Sequence, residues 1–173
     1  MTACADTAVF YFVNKSLANP FFDVVMPFMS RLGSGDIAFI AAMLMAIFLK
    51  KEKRMAGILI LAGLTATYYI VFFLKEAIAR PRPFMALADL RLLVPAERQP
   101  SMPSGHSASA FMIAAILSYF FRYRALWLSA AAIVAFSRVY AGVHYPSDVI
   151  AGGLLGYMTG RILLRLAGFD GKS

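Results

Sequence analysis

The sequence predicts an all-α fold, a polytopic integral membrane bundle of about five transmembrane helices preceded by N-terminal interfacial helices. Apolar residues make up 61% of the 173 residues and charged residues only 15%, and the mean hydropathy is +0.71. Long apolar segments also alternate with short polar ones. This composition excludes a soluble globular protein, and the length fits one domain over residues 1–173.

The first 33 residues are predicted to form two short interfacial helices. Residues 8–29 are apolar, but polar residues and prolines interrupt them too often for a clean membrane span. The interrupting residues are Asn14, Lys15, Asn19, Pro20, Asp23 and Pro27. Asn19 followed by Pro20 is typical of a helix start, with Asn19 as the capping residue. A membrane-spanning helix over residues 8–29 is the alternative.

Five apolar segments between residues 34 and 166 are predicted to cross the membrane. Their approximate bounds are 37–49, 55–74, 104–121, 125–143 and 146–164. The first is short for a bilayer that requires about 20 residues, so we expect it to extend back toward Arg31 or to tilt little. In the fifth, Gly152, Gly156 and Gly160 are four residues apart, a spacing that lets helix backbones approach closely. We expect these glycines to pack inside the protein, with a dimer interface as the alternative.

The basic residues predict the orientation in the membrane. Those at one end of the predicted spans are Lys50, Lys51, Lys53, Arg54, Arg122, Arg124, Arg161, Arg165 and Lys172. By the positive-inside rule this end is cytoplasmic, and residues 167–173 form a cytoplasmic tail. The net charge of +8 is then explained by membrane edges, and we expect no nucleic-acid partner. The outer face carries three polar segments, residues 75–83, 103–106 and 137–148.

The three polar segments have the composition of a phosphate-binding site. Charged side chains at membrane depth are rare and usually functional. Lys75, Arg82 and Arg138 would repel one another unless an anion lay between them, and guanidinium groups match phosphate oxygens in pairs. Ser104 and Gly105, at the predicted start of a helix, add backbone amides that bind anions. A plain helix cap is the alternative for Ser104 and Gly105.

The two histidines of the chain, His106 and His144, both lie in these segments. His144 and Asp148 are four residues apart, so the carboxylate can bond one ring nitrogen and leave the other as a nucleophile. His106 is then the candidate general acid for the departing oxygen. Because three cations already supply positive charge, we expect a reaction without a metal or other cofactor. Loss of activity in EDTA, with recovery on adding a divalent ion, would contradict this.

The three motifs resemble those of the type 2 phosphatidic acid phosphatase superfamily, which includes the vanadium haloperoxidases. Six residues separate Lys75 from Arg82-Pro83, and Pro103-Ser104-Gly105-His106 follows. In the third motif, five residues separate Ser137-Arg138 from His144, and three more separate His144 from Asp148. The resemblance implies a helical membrane enzyme that removes phosphate from lipids. It also implies a phosphohistidine at His144, with Asp148 orienting the ring, and His106 as the acid. Vanadate or phosphate is expected to inhibit.

The resemblance further implies hydrolysis of a lipid phosphate or diphosphate at the outer face of the bacterial cytoplasmic membrane. Undecaprenyl diphosphate is the favoured substrate, with lipid A 1-phosphate or phosphatidylglycerol phosphate as alternatives. Arg80, close to the first motif, is a candidate for contact with the lipid head group. Two other classes of protein remain open: a lipid phosphotransferase, and a membrane protein that binds anions or lipids without catalysis.

Overall fold

The computed structural model describes residues 2–169, and within that range the chain is helical without a β-strand. The elements are α1 (Thr2–Tyr11), a π-helical turn (Phe12–Ser16), α2 (Pro20–Leu32), α3 (Gly35–Phe48), α4 (Lys51–Ile78), the short α5 (Pro83–Ala86), α6 (Gly105–Phe120), α7 (Arg124–Tyr140) and α8 (Pro146–Leu166). This confirms the all-α prediction. The last four residues of the predicted tail, including Lys172, lie outside the described residues.

Local sequence signals explain several of the helix starts. The Asn19 side chain accepts a hydrogen bond from the Phe22 backbone N–H at 2.9 Å, and Pro20 opens α2. Pro146 likewise occupies the first position of α8. A proline suits this position because its missing N–H would have no partner there, and its fixed φ is already helical. The predicted cap at Asn19 is therefore confirmed.

The first apolar helix does not extend unbroken to Arg31. Ser34 has extended backbone angles, φ −71° and ψ 149°, and α2 and α3 meet there at a bend of 52°. The neighbouring Gly33 lies so close to α7 that a Cβ would be 2.3 Å from a methyl group of Val134. Close approach to α7 therefore accompanies a break that apolar composition alone did not reveal.

Two helices of the described chain are long and apolar enough to cross a membrane, and a third is added if the bent pair α2 and α3 counts as one span. The first candidate span, Lys51–Ala86, consists of α4 continued through α5, and the second, Pro146–Leu166, is α8. By contrast α6 has 16 residues and α7 has 17, which is about 24–26 Å of helix against a hydrocarbon core of roughly 30 Å. The count of five spans therefore stays a prediction.

The glycines of α8 pack against α6. A Cβ on Gly156 would lie 1.9 Å from the carbonyl oxygen of Ala108, and one on Gly152 would lie 2.4 Å from that of Ser104. A Cβ on Gly160, two turns beyond Gly152, would likewise lie 2.7 Å from a backbone oxygen of α6. The predicted use of this spacing for internal packing is confirmed, and it brings the starts of α6 and α8 together.

The N-terminal segment packs on the connection between α7 and α8. Phe10 and Val13 are buried in one apolar cluster with Tyr140 and Tyr145. The Asn14 amide, also buried, donates to the carbonyl oxygen of Tyr140 at 2.8 Å. Residues 10–14 thus pack against the connection between α7 and α8 and hold it in place. Their interfacial location in a membrane stays a prediction.

Candidate active site

The three predicted polar segments meet at one end of the bundle, where α4 and α7 end and α6 and α8 begin. The backbone N–H of Ser104 donates to the carbonyl oxygen of Asp148 at 3.0 Å, which joins the start of α6 to the start of α8. Arg82 follows α4 and donates to the carbonyl oxygen of Val143 at 3.1 Å. The segments are distant in sequence, and the antiparallel helices bring them into contact.

His144 and Asp148 form the buried centre of the site. The distance from His144 Nδ1 to Asp148 Oδ2 is 3.5 Å, and the two side chains are 1% and 0% exposed. On the other side of the ring, Nε2 lies 3.4 Å from Nη1 of Arg82. Asp148 Oδ2 also accepts hydrogen bonds from the Ser101 hydroxyl at 2.5 Å and from the Tyr145 backbone N–H at 2.8 Å. One ring nitrogen therefore faces a fixed carboxylate and the other faces a cation.

The surroundings of His144 keep its imidazole neutral. His144 lies in the connection between α7 and α8. Burial, together with the positive charges of Arg82 and Arg138, lowers the pKa of His144 from 6.5 to about 4, although the bond to Asp148 acts in the opposite direction. At neutral pH the ring has a lone pair, and a proton on Nδ1 facing Asp148 would leave that lone pair on Nε2.

The predicted phosphate ligands Lys75, Arg82 and Arg138 are buried together. Arg82 Nη2 donates to Oε2 of Glu97 at 2.6 Å, and Arg138 forms an ion pair with the other oxygen of the same carboxylate. The ammonium of Lys75 donates to the carbonyl oxygen of Pro100. The cations therefore converge on one short loop segment, residues 97–100, which supplies an acceptor to each of them.

Sequence reasoning missed Glu97 and Ser101. Glu97 is the only acidic residue between Asp89 and Asp148, and three cations at membrane depth require a nearby negative charge. That requirement was the available signal. Although burial opposes it, the charges of Arg138 and Arg82 lower the pKa of Glu97 to about 2, so the carboxylate is ionised at neutral pH. For Ser101, which bonds Asp148, the sequence offered no comparable signal.

The other predicted residues occupy the start of α6. Gly105 and His106 line a cavity of about 520 Å³ together with Lys75 and Glu97. The hydroxyl of Ser104 is buried and accepts hydrogen bonds from the Ser107 backbone N–H at 3.5 Å and from the Ser107 hydroxyl at 3.2 Å, so its present role is in capping the helix. Away from the charged end, side chains of α3 and α4 continue the cavity wall, among them Phe39, Leu64, Tyr68 and Phe72.

Arg80 lies beside Asp148 and not in this cavity. Its guanidinium donates to Asp148 Oδ1 and to the Ser147 hydroxyl, both at 2.7 Å, and to Asp6 at 2.6 Å. It also stacks on the ring of Tyr145, 4.0 Å from the ring centre. With these donors held by protein acceptors, Arg80 is poorly placed for the predicted contact with a lipid head group. It is instead a neighbour of the carboxylate that orients His144.

Metal ligands are not gathered at this site in the described part of the chain. Among residues 2–169, no group of three or more histidine, cysteine, aspartate and glutamate side chains has the geometry to hold a metal ion. The independence from metals therefore stays a prediction, with Lys75, Arg82 and Arg138 as the positive charges available to an anion.

Comparison with known proteins extends these observations. A model of the PAP2 superfamily matches residues 55–171. The undecaprenyl-diphosphatase of Sulfolobus acidocaldarius is 33% identical over 135 residues, covering 76% of this chain and 64% of that protein, so the chain spans less than two thirds of this relative. The lipid A 4'-phosphatase of Bacteroides thetaiotaomicron is 30% identical over 179 residues, covering 94% of this chain and 76% of that protein.

The crystal structure of LpxE from Aquifex aeolicus is similar in fold, with a TM-score of 0.83 and 32% identity, covering 92% of this chain and 94% of that chain. The family match alone extends over more than half of the sequence and includes all three polar segments. The chain therefore belongs to the PAP2 superfamily.

Proposed function

We propose that this protein is a metal-independent lipid phosphatase that acts through a phosphohistidine at His144. The observation that carries the proposal is the pairing of a neutral, buried imidazole with three cations. Nε2 of His144 lies 3.4 Å from Arg82, while Nδ1 faces Asp148. A nucleophile held by a carboxylate, next to groups that bind phosphoryl oxygens, is the arrangement that phosphoryl transfer requires.

In the proposed reaction, Arg82, Arg138 and Lys75 bind the terminal oxygens of the substrate phosphate. Nε2 of His144 attacks phosphorus while the bond from phosphorus to the leaving oxygen breaks, and His106 donates a proton to that oxygen. Asp148 stabilises the positive charge that the imidazole gains. Water then attacks the phosphohistidine, His106 takes a proton from that water, and His144 is regenerated with release of inorganic phosphate.

The shape of the cavity supports a lipid substrate. One end is lined by Lys75, Glu97 and His106, and the wall continues over apolar and aromatic side chains of α3 and α4. A phosphate group at the charged end would leave its hydrocarbon chain against this apolar wall, where burial is favourable. A soluble phosphate ester would make no use of that surface.

Among lipids, undecaprenyl diphosphate is the proposed physiological substrate. The relative from Sulfolobus acidocaldarius carries the name undecaprenyl-diphosphatase and supports this choice. The relative from Bacteroides thetaiotaomicron, named as a lipid A 4'-phosphatase, supports a lipid A phosphate as the alternative, and phosphatidylglycerol phosphate is a third candidate. We further propose that hydrolysis occurs at the outer face of a bacterial cytoplasmic membrane, because the basic helix ends lie opposite the site.

The test is phosphate release by the detergent-purified protein in EDTA. Undecaprenyl diphosphate, lipid A, phosphatidylglycerol phosphate and phosphatidic acid are compared at equal concentration, with His144→Ala as the control. We expect one lipid to be hydrolysed fastest and the variant to lose activity by at least about 1,000-fold. Acid-labile phosphate on the wild-type protein, absent from the variant, would identify the phosphohistidine.

Other outcomes of the same assay would favour the other classes of protein. Binding of these lipids without hydrolysis, unchanged in His144→Ala, would favour a binding protein without catalysis. Transfer of phosphate to an added alcohol faster than to water would favour a phosphotransferase. Activity that needs a divalent ion would contradict the metal-independent mechanism.

A further inference from the structure

We propose that the Glu97 carboxylate is an internal counter-anion that occupies the phosphate subsite of the unliganded protein and leaves it when a phosphoryl group binds. Glu97 would then set the affinity of the site for substrate phosphate and for the phosphate released by hydrolysis. This inference deepens the proposed function and rests on it for the identity of the incoming anion. It assigns a role to a residue that lies outside the three sequence motifs.

The contacts of Glu97 match those expected of two phosphoryl oxygens. Oε2 accepts from Arg82 Nη2 at 2.6 Å, and Oε1 pairs with Nη2 of Arg138. Each oxygen therefore faces a different guanidinium, so the carboxylate bridges the two arginines. Guanidinium groups bind carboxylate and phosphate oxygens with the same donor geometry. A phosphate bound between Arg82 and Arg138 would compete directly with Glu97.

Burial indicates which partner moves. The side chains of Arg82 and Arg138 are 0% and 3% exposed, whereas that of Glu97 is 35% exposed and lines the open cavity. Two buried guanidinium groups without an anion would be costly, so the empty site needs a counter-charge. The carboxylate on the open side can leave once another anion arrives, while the arginines stay in position.

The nitrogen donors of the Arg138 side chain favour an anion with more than two oxygens. Its Nε is buried and has no hydrogen-bond partner among the described residues, while its other nitrogens bond Ser30 and Glu97. A carboxylate has only two oxygens, and here each is paired with one arginine. A phosphoryl group offers three terminal oxygens, so it can satisfy a donor that Glu97 leaves unpaired.

Displacement requires rotation of one side chain and no rearrangement of the loop. The carbonyl oxygen of Gln99 accepts from Arg82 Nε at 2.7 Å, and that of Pro100 accepts from Lys75. The backbone N–H of Ser101 donates to the carbonyl oxygen of Arg80 at 2.8 Å. These contacts do not involve the Glu97 side chain. The backbone can therefore hold the cations in place while the carboxylate turns outward.

The consequence for turnover concerns release of the product. Three buried cations without an internal anion would hold inorganic phosphate tightly after the phosphohistidine is hydrolysed. The return of Glu97 to Arg82 and Arg138 would compete with that product and favour its release. Glu97 therefore weakens binding of substrate and product alike, and a protein without this carboxylate should be inhibited more strongly by phosphate.

The test is a direct measurement of phosphate binding by isothermal titration calorimetry on the full chain in detergent. Wild type, Glu97→Gln and Glu76→Gln are titrated with inorganic phosphate at about pH 8, where most of it is doubly charged. Glu76 is the matched control, because it is exposed, stands next to Lys75 in sequence and loses the same charge. We expect Glu97→Gln to lower the Kd on the order of 10-fold and Glu76→Gln to leave it within about twofold.

Several results would overturn the proposal. One is a Kd for phosphate in Glu97→Gln that is unchanged or higher than that of wild type. Another is an equal decrease of the Kd in Glu76→Gln, which would indicate a general charge effect. If Glu97→Gln is not monodisperse, Glu97→Asp replaces it, since the shorter side chain cannot bridge both arginines and should tighten binding severalfold. An unchanged Kd in Glu97→Asp would then reject the proposal. Because binding is measured without turnover, wild type that hydrolyses no lipid would contradict only the proposed function.

Discussion

The side chain of Asp148 has four partners in the candidate site. It is fully buried and bonds Arg80, Ser101 and the Tyr145 backbone, with His144 at 3.5 Å. Buried charges are stable only when neighbouring dipoles and charges compensate them. These partners fix the carboxylate that faces the imidazole, so changes at Asp148 should affect chemistry more than binding.

Replacement of Asp148 by asparagine is expected to lower kcat by on the order of 1,000- to 10,000-fold, because the amide neither carries the charge nor fixes the tautomer of His144. Lipid phosphate hydrolysis by the purified variant measures the effect. Asp36→Asn serves as the control, since Asp36 in α3 is exposed and forms its ion pair with Arg31 of α2, away from the site. A loss of less than about 10-fold in Asp148→Asn would contradict the role of this carboxylate.

Arg80→Gln separates a positioning role from contact with the head group. Arg80 acts on His144 only through Asp148, so kcat should fall about 10- to 100-fold while KM changes by less than about threefold. Arg98→Gln, an exposed position in the loop before α6, should change neither constant. A rise in KM at unchanged kcat in Arg80→Gln would instead support the head-group contact that the sequence had indicated.

The acid limb of the pH profile reports the environment of His144. The pKa of this residue is lowered to about 4, so the nucleophile stays unprotonated as the pH falls through 6.5 and is lost only near pH 4. We therefore expect kcat/KM to decrease on the acid side only near pH 4, where His144 becomes protonated. Substrates with different phosphate pKa values are compared, because a limb due to the substrate moves with it. A fixed limb near pH 6.5 would contradict the structure.

The contact between α6 and α8 explains how two helix starts are held in register. In this contact the glycines of α8 approach backbone atoms of α6, which cannot move aside as flexible side chains can. The capping turn of α6 at Ser104 and the first turn of α8 at Asp148 are joined by a backbone hydrogen bond of 3.0 Å. The close packing of α6 and α8 therefore fixes the relative position of the two helix starts that form part of the site.

Gly156→Ala is expected to destabilise the protein by about 1–3 kcal/mol or more, because its Cβ would meet the Ala108 oxygen at 1.9 Å. The unfolding temperature in detergent and the phosphatase activity should both decrease. The matched control is Gly35→Ala at the start of α3, where a Cβ meets nothing within 4 Å. Equal unfolding temperatures for the two variants would show that the α6 and α8 backbones can separate at little cost.

At the scale of the whole molecule, the position of the site relative to the membrane can be tested with the single cysteine. Cys4 is exposed on α1, and Asp6 of the same helix bonds the Ser147 backbone N–H at the start of α8. Cys4 therefore lies at the same end of the bundle as the site. Lys51, at the opposite end of α4 from Lys75, marks the other end.

A membrane-impermeant maleimide should label Cys4 in intact cells, if the site faces outward as the positive-inside rule predicts. Lys51→Cys in a Cys4→Ala background should be labelled only after the membrane is permeabilised. Labelling is measured by the mass shift of the purified protein. The reverse pattern would put the site at the cytoplasmic face and refute the predicted orientation.

Much of the site could be predicted because the relevant signals are local in the sequence. The cap at Asn19, the start of α8 at Pro146 and the four-residue spacing of His144 and Asp148 each depend on a few neighbouring residues. Alternation of helices then brings every second helix end to the same face. For this reason the sequence predicts that Lys75, Arg82, Arg138 and His144 lie at the same face.

Only the tertiary structure decided which long-range partners these residues have. Apolar composition did not reveal the break at Ser34, because the bend occurs where the end of α2 packs against α7. Charge alone did not reveal that Asp6 and Asp148 hold Arg80, or that Glu97 bridges Arg82 and Arg138. The sequence by itself determined the helical class, the motifs and their common face. The partners of each charge depend on contacts between residues far apart in the chain, which helix packing alone specifies.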